Sequence, residues 1–353
     1  MKPLLLVPVL FVAMFQSAAQ AAARDHIWIV SPSAILPFTK AVAEHVARAA
    51  GRPTPVVEYA DTTLGLTLLC GLAGSEHPGA EHPDAVGATR RMTKTEFDAC
   101  RENGVTEIVE IPVGIDLLVL AQSKSGPPLR LTLAQTYRAL AKQSPDEYYE
   151  MAPTTYKRWS EIDASLSDAR INVRTLQRFS ETREALQELL LRKGAQGIPS
   201  IANVWRKAPV LPKSVLEMRE DYPYVVIDVN EDAIVRELLK RPGAVGVFGY
   251  RFLHANTATL RGVPIDGIEP TPENAYAGRY PGTRTIYIYL RKADIATVPG
   301  LDKLAAEHLS SEALGTDGYL LKLGFLPLPL EDMAKSFTLA KALPPVRREM
   351  LPD

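Results

Sequence analysis

Pro242-Gly-Ala-Val-Gly-Val-Phe-Gly-Tyr250, Asp266-Gly-Ile-Glu-Pro-Thr-Pro-Glu-Asn274 and Tyr280-Pro-Gly-Thr-Arg-Thr-Ile-Tyr-Ile-Tyr289 decide how this chain is read. Val245 to Phe248 is a short apolar run bounded by glycine and proline, the pattern of a buried strand. Ile286 to Leu290 is rich in β-branched and aromatic residues and is strand-like as well. Turn residues fill the interval between them.

Working outward, strands and helices alternate along most of the chain. Strands are expected over His26 to Val30, Pro55 to Ala60, Asp84 to Ala88, Thr106 to Pro112, Leu117 to Ala121, Ile171 to Val173 and Val225 to Val229, with Gly114 breaking the fourth from the fifth. A helix is expected over Pro37 to Ala50: Pro37 suits a first turn, Phe38, Val42 and Val46 recur at helical spacing, and Gly51 with Pro53 ends it. Further helices are expected over Leu64 to Gly71, after the Thr93/Glu96 capping box, and over Thr132 to Lys142 with Thr132 as N-cap. Glu181 to Lys193, Asp232 to Lys240, Leu301 to Ser310 and Glu331 to Ala342 complete them, and Trp159 to Ile162 is a turn or short helix. Such alternation implies an α/β fold of mostly parallel sheets covered on both faces.

The chain opens as an export signal. Lys2 precedes an apolar stretch from Leu4 to Phe15 that is too short to span a bilayer, and Ala19 to Ala23 offer small residues for cleavage before Arg24. Residues 1–23 are therefore expected to be a signal peptide and the mature protein to be exported. The remaining ~330 residues exceed a comfortable single core, so two lobes are expected. The formal net charge is −1 with the signs mixed, and no basic tract points to nucleic acid. Cys70 and Cys100 are the two cysteines of the chain. An even count in an oxidising compartment favours a disulfide between them over two separate buried thiols.

Several blocks, in a common order, resemble one known family. Pro37-Phe-Thr-Lys-Ala-Val-Ala-Glu44 is similar to its first helix, and Gly87-Ala-Thr-Arg-Arg-Met92 with Glu96 to its Ser-Arg-Arg-Met turn. Glu107-Ile-Val-Glu-Ile-Pro-Val-Gly-Ile-Asp116 resembles the strand that enters its hinge, and Gly318-Tyr-Leu320 with Gly324 and Pro327 its C-terminal signature. The 245–250 and 266–274 blocks resemble its second lobe and return. On these residues the chain resembles the periplasmic phosphate-binding proteins of phosphate ABC transporters, type II periplasmic solute-binding proteins.

That resemblance implies two α/β lobes, each a mostly parallel sheet flanked by helices, joined by two hinge crossings near Val113 to Ala121 and Ile265 to Ile286. Lobe one would comprise 24–115 and 275–353, and lobe two 116–274. It also implies a monomeric periplasmic protein that captures inorganic phosphate between the lobes for an inner-membrane permease, without enzymatic activity, cofactor or metal. A tetrahedral oxyanion in such a cleft is held by backbone N–H groups at helix starts, by hydroxyls and by arginine.

Four loops carry the expected site. The first, Ser31-Pro-Ser-Ala-Ile-Leu36, offers Ser33 and the backbone of Ala34 and Ile35; Ser33 also reads as an ordinary helix cap. The second, Asp61-Thr-Thr-Leu-Gly-Leu66, offers Thr62 and Thr63, or is a plain strand-to-helix turn. The third offers Thr89, in place of the family's serine, with Arg90 and Arg91. The fourth, Arg178-Phe-Ser-Glu-Thr-Arg183, resembles the family's Ser-Gly-Thr-Arg stretch and offers Arg178, Ser180, Thr182 and Arg183. Glu181 stands there where glycine is expected. Two readings stay open: a carboxylate stabilising a first helical turn, or one in the cleft that repels a dianion, accepts a proton, or occupies the anion site itself. A divergent paralogue that binds another oxyanion, or serves as a sensor or interaction protein, is the alternative to phosphate capture.

Glu76-His-Pro-Gly-Ala-Glu-His-Pro-Asp84 contains metal-ligand side chains, but proline after each histidine favours an extended solvated loop. The six histidines are scattered, and the chain carries no Gly-x-Ser-x-Gly elbow or zinc-protease pattern.

Overall fold

A computed structural model describes residues 27–71, 82–145, 150–178, 180–202, 213–222, 224–228 and 230–353. The expected signal peptide and most of the Glu-His-Pro repeat lie outside them; His82 is described and faces Asp294 at 3.7 Å. Among the described residues no helix is long and apolar enough to cross a membrane.

The strands are β1 (Trp28–Ser31), β2 (Val56–Tyr59), β3 (Ala85–Ala88), β4 (Ile108–Ser123), β5 (Gln143–Pro145), β6 (Met151–Pro153), β7 (Val173–Thr175), β8 (Val225–Ile227), β9 (Val245–Gly249), β10 (Leu260–Gly262) and β11 (Thr283–Arg291). All but β5 and β6, which pair with each other, join one sheet in the order β2-β1-β3-β11-β4-β9-β7-β8, with β10 also on β4. The outer strands are parallel: β2 and β3 with β1, and β8 and β9 with β7. The central strands β11 and β4 run antiparallel to their neighbours.

β4 ties the two lobes together. Residues 108 to 117 pair with β11, and Leu118 to Gln122 pair with β9. The expected break at Gly114 is absent, and a single 16-residue strand replaces the two short ones. Packing accounts for the glycine. A Cβ at Gly114 would stand 2.2 Å from Phe325 Cζ and 2.8 Å from the Leu326 carbonyl oxygen, and that carbonyl accepts from the Ile115 N–H at 2.8 Å. The register shifts beside it, leaving Val113 as the extra residue between the Gly114–Ile286 and Pro112–Tyr287 pairs. Gly114→Ala is expected to destabilise by about 1–3 kcal/mol, because the backbone behind the strand cannot give way like a side-chain end. Denaturant midpoints of the two proteins check this.

The buried apolar residues fall into three clusters. Leu118, Val119, Leu186, Val247 and Phe248 belong to one apolar cluster. Ile29, Val42, Ile111 and Ile288 form a second, and Val30, Leu66, Met92 and Tyr289 a third.

Helix α1 (Leu36–Ala50) starts with proline in its first turn and ends at Gly51 with φ 59°. Its cap position is Ile35, with no side-chain cap, so the reading of Ser33 as the cap is corrected. Helix α2 (Thr62–Leu69) is capped by Asp61, which accepts from Leu64 N–H. Helix α3 (Lys94–Glu102) has the reciprocal Thr93/Glu96 box, and α4 (Leu133–Leu140) a second box from Thr132 and Gln135. Cys70 and Cys100 are bonded, with Cα atoms 4.5 Å apart, joining the end of α2 to α3.

Helix α5 runs through Glu181–Ala185, a π-helical stretch Leu186–Leu191, and Arg192–Gln196. π-helical turns recur at functional sites. Tyr250–Ala255, beyond the expected strand Val245 to Phe248, is a short helix packed against β4.

Candidate functional site

Three chain ends from the β2-β1-β3 side of the sheet meet the start of α5, which packs near β9. β1 leads through a turn into α1, β2 leads through Ala60 and Asp61 into α2, and β3 ends at Ala88, before Thr89. Gly87 permits the close approach of the first and third, since a Cβ there would lie 2.7 Å from Ser31 Oγ and 2.9 Å from Ile35 Cδ1. The buried Ser31 and Thr39 hydroxyls, 2.9 Å apart, brace the same turn.

At the meeting point lies the carboxylate of Glu181, 1 % exposed. Thr89 donates its hydroxyl to Glu181 Oε1 at 3.0 Å, and Thr62 donates to the same oxygen at 3.3 Å. Thr62 Oγ1 also accepts from the Thr89 backbone N–H at 3.1 Å, which fixes the spacing of the two hydroxyls. The Ala34 backbone N–H lies close enough to favour the ionised carboxylate. Glu181 Oε2 has no hydrogen-bond partner among the described residues.

Burial pushes the Glu181 carboxyl up to about 7, against the opposing pull of Arg284, the Thr89 hydroxyl and the Ala34 N–H; Asp116 pushes it further up. Arg284 and Asp116 face each other across β11 and β4, with Arg284 Nη2 2.7 Å from Asp116 Oδ2 and Nε donating to the same oxygen at 2.8 Å. Asp116 thus offsets part of the pull that Arg284 exerts on Glu181.

The other expected site residues have different partners. Thr63 Oγ1 accepts from Arg90, whose guanidinium also holds Glu96. Arg91 binds Glu110, with Nη2 2.5 Å from Oε1. Ser180 caps α5, accepting from Arg183 N–H and donating to the Gln177 carbonyl. Thr182 donates to Glu231 at 3.3 Å. Arg178 and the buried Arg183 both bind Glu220, at 3.0 Å each. The structure therefore brings Ala34, Thr62, Thr89 and Glu181 to one point. Arg178, Ser180, Thr182 and Arg183 are held within their own lobe. Arg284, Asp116 and Glu184 were missed by the sequence reading; the alternation of β11 marks Arg284 as facing one side of the sheet, but nothing local names the side.

A cavity of about 250 Å³ adjoins this point, lined from one lobe by Thr62, Thr89 and Arg284 and from the other by Glu184, Ala185 and Glu188. The arrangement is an oxyanion cradle. Two hydroxyl donors and the Ala34 backbone N–H present positive dipole to a small volume, and a carboxylate of the protein itself fills it.

Residues 16–312 match a PBP superfamily domain. This chain belongs to the PBP superfamily. Protein SphX of Synechococcus elongatus is 24% identical over 349 residues, covering 95% of this chain and 86% of the other. The fold is that of a crystal structure described as a possible phosphate binding protein from Planctomyces limnophilus, with TM-score 0.62 and 22% identity over 90% of this chain and 97% of that one. A putative phosphate ABC transporter substrate-binding protein from Clostridium perfringens, solved with bound phosphate, gives TM-score 0.58 and 17% identity over 86% of this chain and all (100%) of that one. The expected two-lobe α/β architecture and its family resemblance stand on these matches.

Proposed function

We propose that this is an exported, non-enzymatic solute-binding protein that takes a tetrahedral oxyanion of the phosphate type between its lobes and presents it to a membrane permease. In this reading residues 1–23 are removed on export to the periplasm, 24–115 with 275–353 form one lobe, and 116–274 form the other. The observation that carries it is the convergence of the Thr62 and Thr89 hydroxyls on one carboxylate oxygen, with the Ala34 N–H close to the same carboxylate. Groups that hold a carboxylate oxygen in this manner suit a phosphoryl oxygen equally, because both are compact charge-dense acceptors. Membership of the superfamily and the phosphate bound by the Clostridium perfringens relative support the same class of ligand.

Glu181 qualifies this reading. Its carboxylate is tethered in the cradle, so an incoming anion must displace it and meets its charge on the way. The same observation favours a second reading, that of a divergent paralogue in which the self-occupied cradle serves sensing or interaction instead of phosphate transport.

Calorimetric titration of stripped protein with phosphate, sulfate and arsenate tests both, run on the wild type and on Glu181→Gly. The first reading expects the variant to bind phosphate at least about tenfold more tightly than the wild type, since a competing internal anion has been removed. Absence of oxyanion binding in both proteins would reject it and leave the second.

A further inference from the structure

The cavity beside the cradle speaks to the class of ligand, an inference that rests on the oxyanion reading above. Thr62 and Thr89 belong to both the cradle and the cavity, so an anionic group seated on them has open volume next to it. About 250 Å³ is more space than a bare tetrahedral ion fills. A ligand with a substituent on its phosphoryl group uses it.

Charge selects the substituent. Four charged side chains of the lining are already committed: Arg90 to Glu96, Arg91 to Glu110, Arg284 to Asp116, and Glu188 to Arg192. Glu184, also in the lining and exposed, makes no side-chain hydrogen bond or ion pair among the described residues. With Glu181 it leaves the cleft with two carboxylates outside any ion pair among the described residues; Arg90 and Arg284, whose charges act on Glu184 and Glu181, are themselves bound to Glu96 and Asp116. A dianion entering alone adds to that surplus; a ligand carrying its own cation relieves it. Glu184 lies three residues beyond Glu181 on α5, a rise of about 4.5 Å. A short carbon linker spans that distance.

We propose that the cleft takes a phosphate monoester or phosphonate bearing an ammonium group on a short linker, its phosphoryl oxygens on Thr62 and Thr89 and its ammonium against Glu184. Charge complementarity at two points then gives selectivity over inorganic phosphate, which satisfies one point alone.

Three probes separate the terms in calorimetric titration of the mature protein: orthophosphate, ethyl phosphate and 2-aminoethyl phosphate. The last two differ by the ammonium. The expected result is that the wild type binds 2-aminoethyl phosphate about tenfold more tightly than ethyl phosphate, and that Glu184→Gln brings the pair to within about threefold. Equal binding of the two esters by the wild type overturns the inference, as does a preference that persists in Glu184→Gln. If Glu181→Gly binds orthophosphate while the aminoethyl ester shows no advantage, the oxyanion reading survives and the ligand class falls. If neither wild type nor Glu181→Gly binds any of the three, both fall together.

Discussion

Glu181→Gln is expected to be more stable than the wild type above pH 7 and to lose that advantage on acidification. The wild-type carboxyl has its pKa raised to about 7 by burial, from an ordinary 4.5. In the unfolded chain it ionises first as pH rises; in the folded protein it holds its proton longer. The folded state therefore binds more protons between those two values, and stability falls as pH climbs through the window. Below the unfolded value both states are protonated and nothing is lost. Above the folded value the loss is complete, on the order of 3 kcal/mol. Glutamine keeps the shape and a carbonyl acceptor for Thr62 and Thr89 but does not ionise. Thermal midpoints of both proteins across pH 4.5 to 8 check this: the difference should grow with pH and level off. A difference that stays constant with pH would place the carboxylate in water, contrary to its burial. Other acids titrate in both proteins and cancel in the comparison.

The same energetics bear on function. A buried carboxylate that costs stability at neutral pH is a feature associated with functional sites more than with structural ones. Neutralising Glu181 without changing its shape, as glutamine does, should therefore favour the fold at neutral pH and alter the binding properties.

What the sequence disclosed follows from the range of the interactions. The caps Thr93 and Thr132 were legible because a cap's partners lie within three residues and need no distant contact; the Thr93/Glu96 box was named in full, whereas Gln135, the second half of the Thr132 box, came from the structure. The bridge between the cysteines was legible from parity and compartment, since two thiols in an oxidising environment have few alternatives. Gly114 misled because glycine in a strand ordinarily marks a break; its reason is Phe325, more than 200 positions further on, whose ring occupies the space a side chain would need. The site divides in the same way. Thr62, Thr89 and Glu181 could be named from their loops, but the direction of the Glu181 side chain depends on a lobe-to-lobe contact between residues 119 and 92 apart in sequence. Arg178 and Arg183 carried the expected charge, and Glu220 consumes it. The partners are 42 and 37 positions apart, beyond the reach of any local motif.

Replacing Cys70 and Cys100 together by serine is expected to cost about 3–4 kcal/mol of stability, and to leave oxyanion affinity within about threefold of the intact protein. The bond closes a loop with a sequence separation of 30. In the chain-entropy account its contribution comes from restricting the unfolded ensemble, and so is lost even when native contacts are unchanged. Native contacts should persist, because α2 has other anchors. Leu66 and Leu69 are fully buried in the cluster that also holds Met92 and Phe97, Asp61 caps the helix, and the Thr62 hydroxyl is tied to the Thr89 backbone N–H. The cradle lies at the N-terminal end of α2 and the disulfide just past its C-terminal end, so rigidity at the cradle derives from packing and the cap. Denaturant midpoints together with titration of the Glu181→Gly background separate the two effects. A loss of affinity as large as the loss of stability would mean that the covalent tie holds Thr62 in place, and the cradle would then depend on the redox state of its compartment.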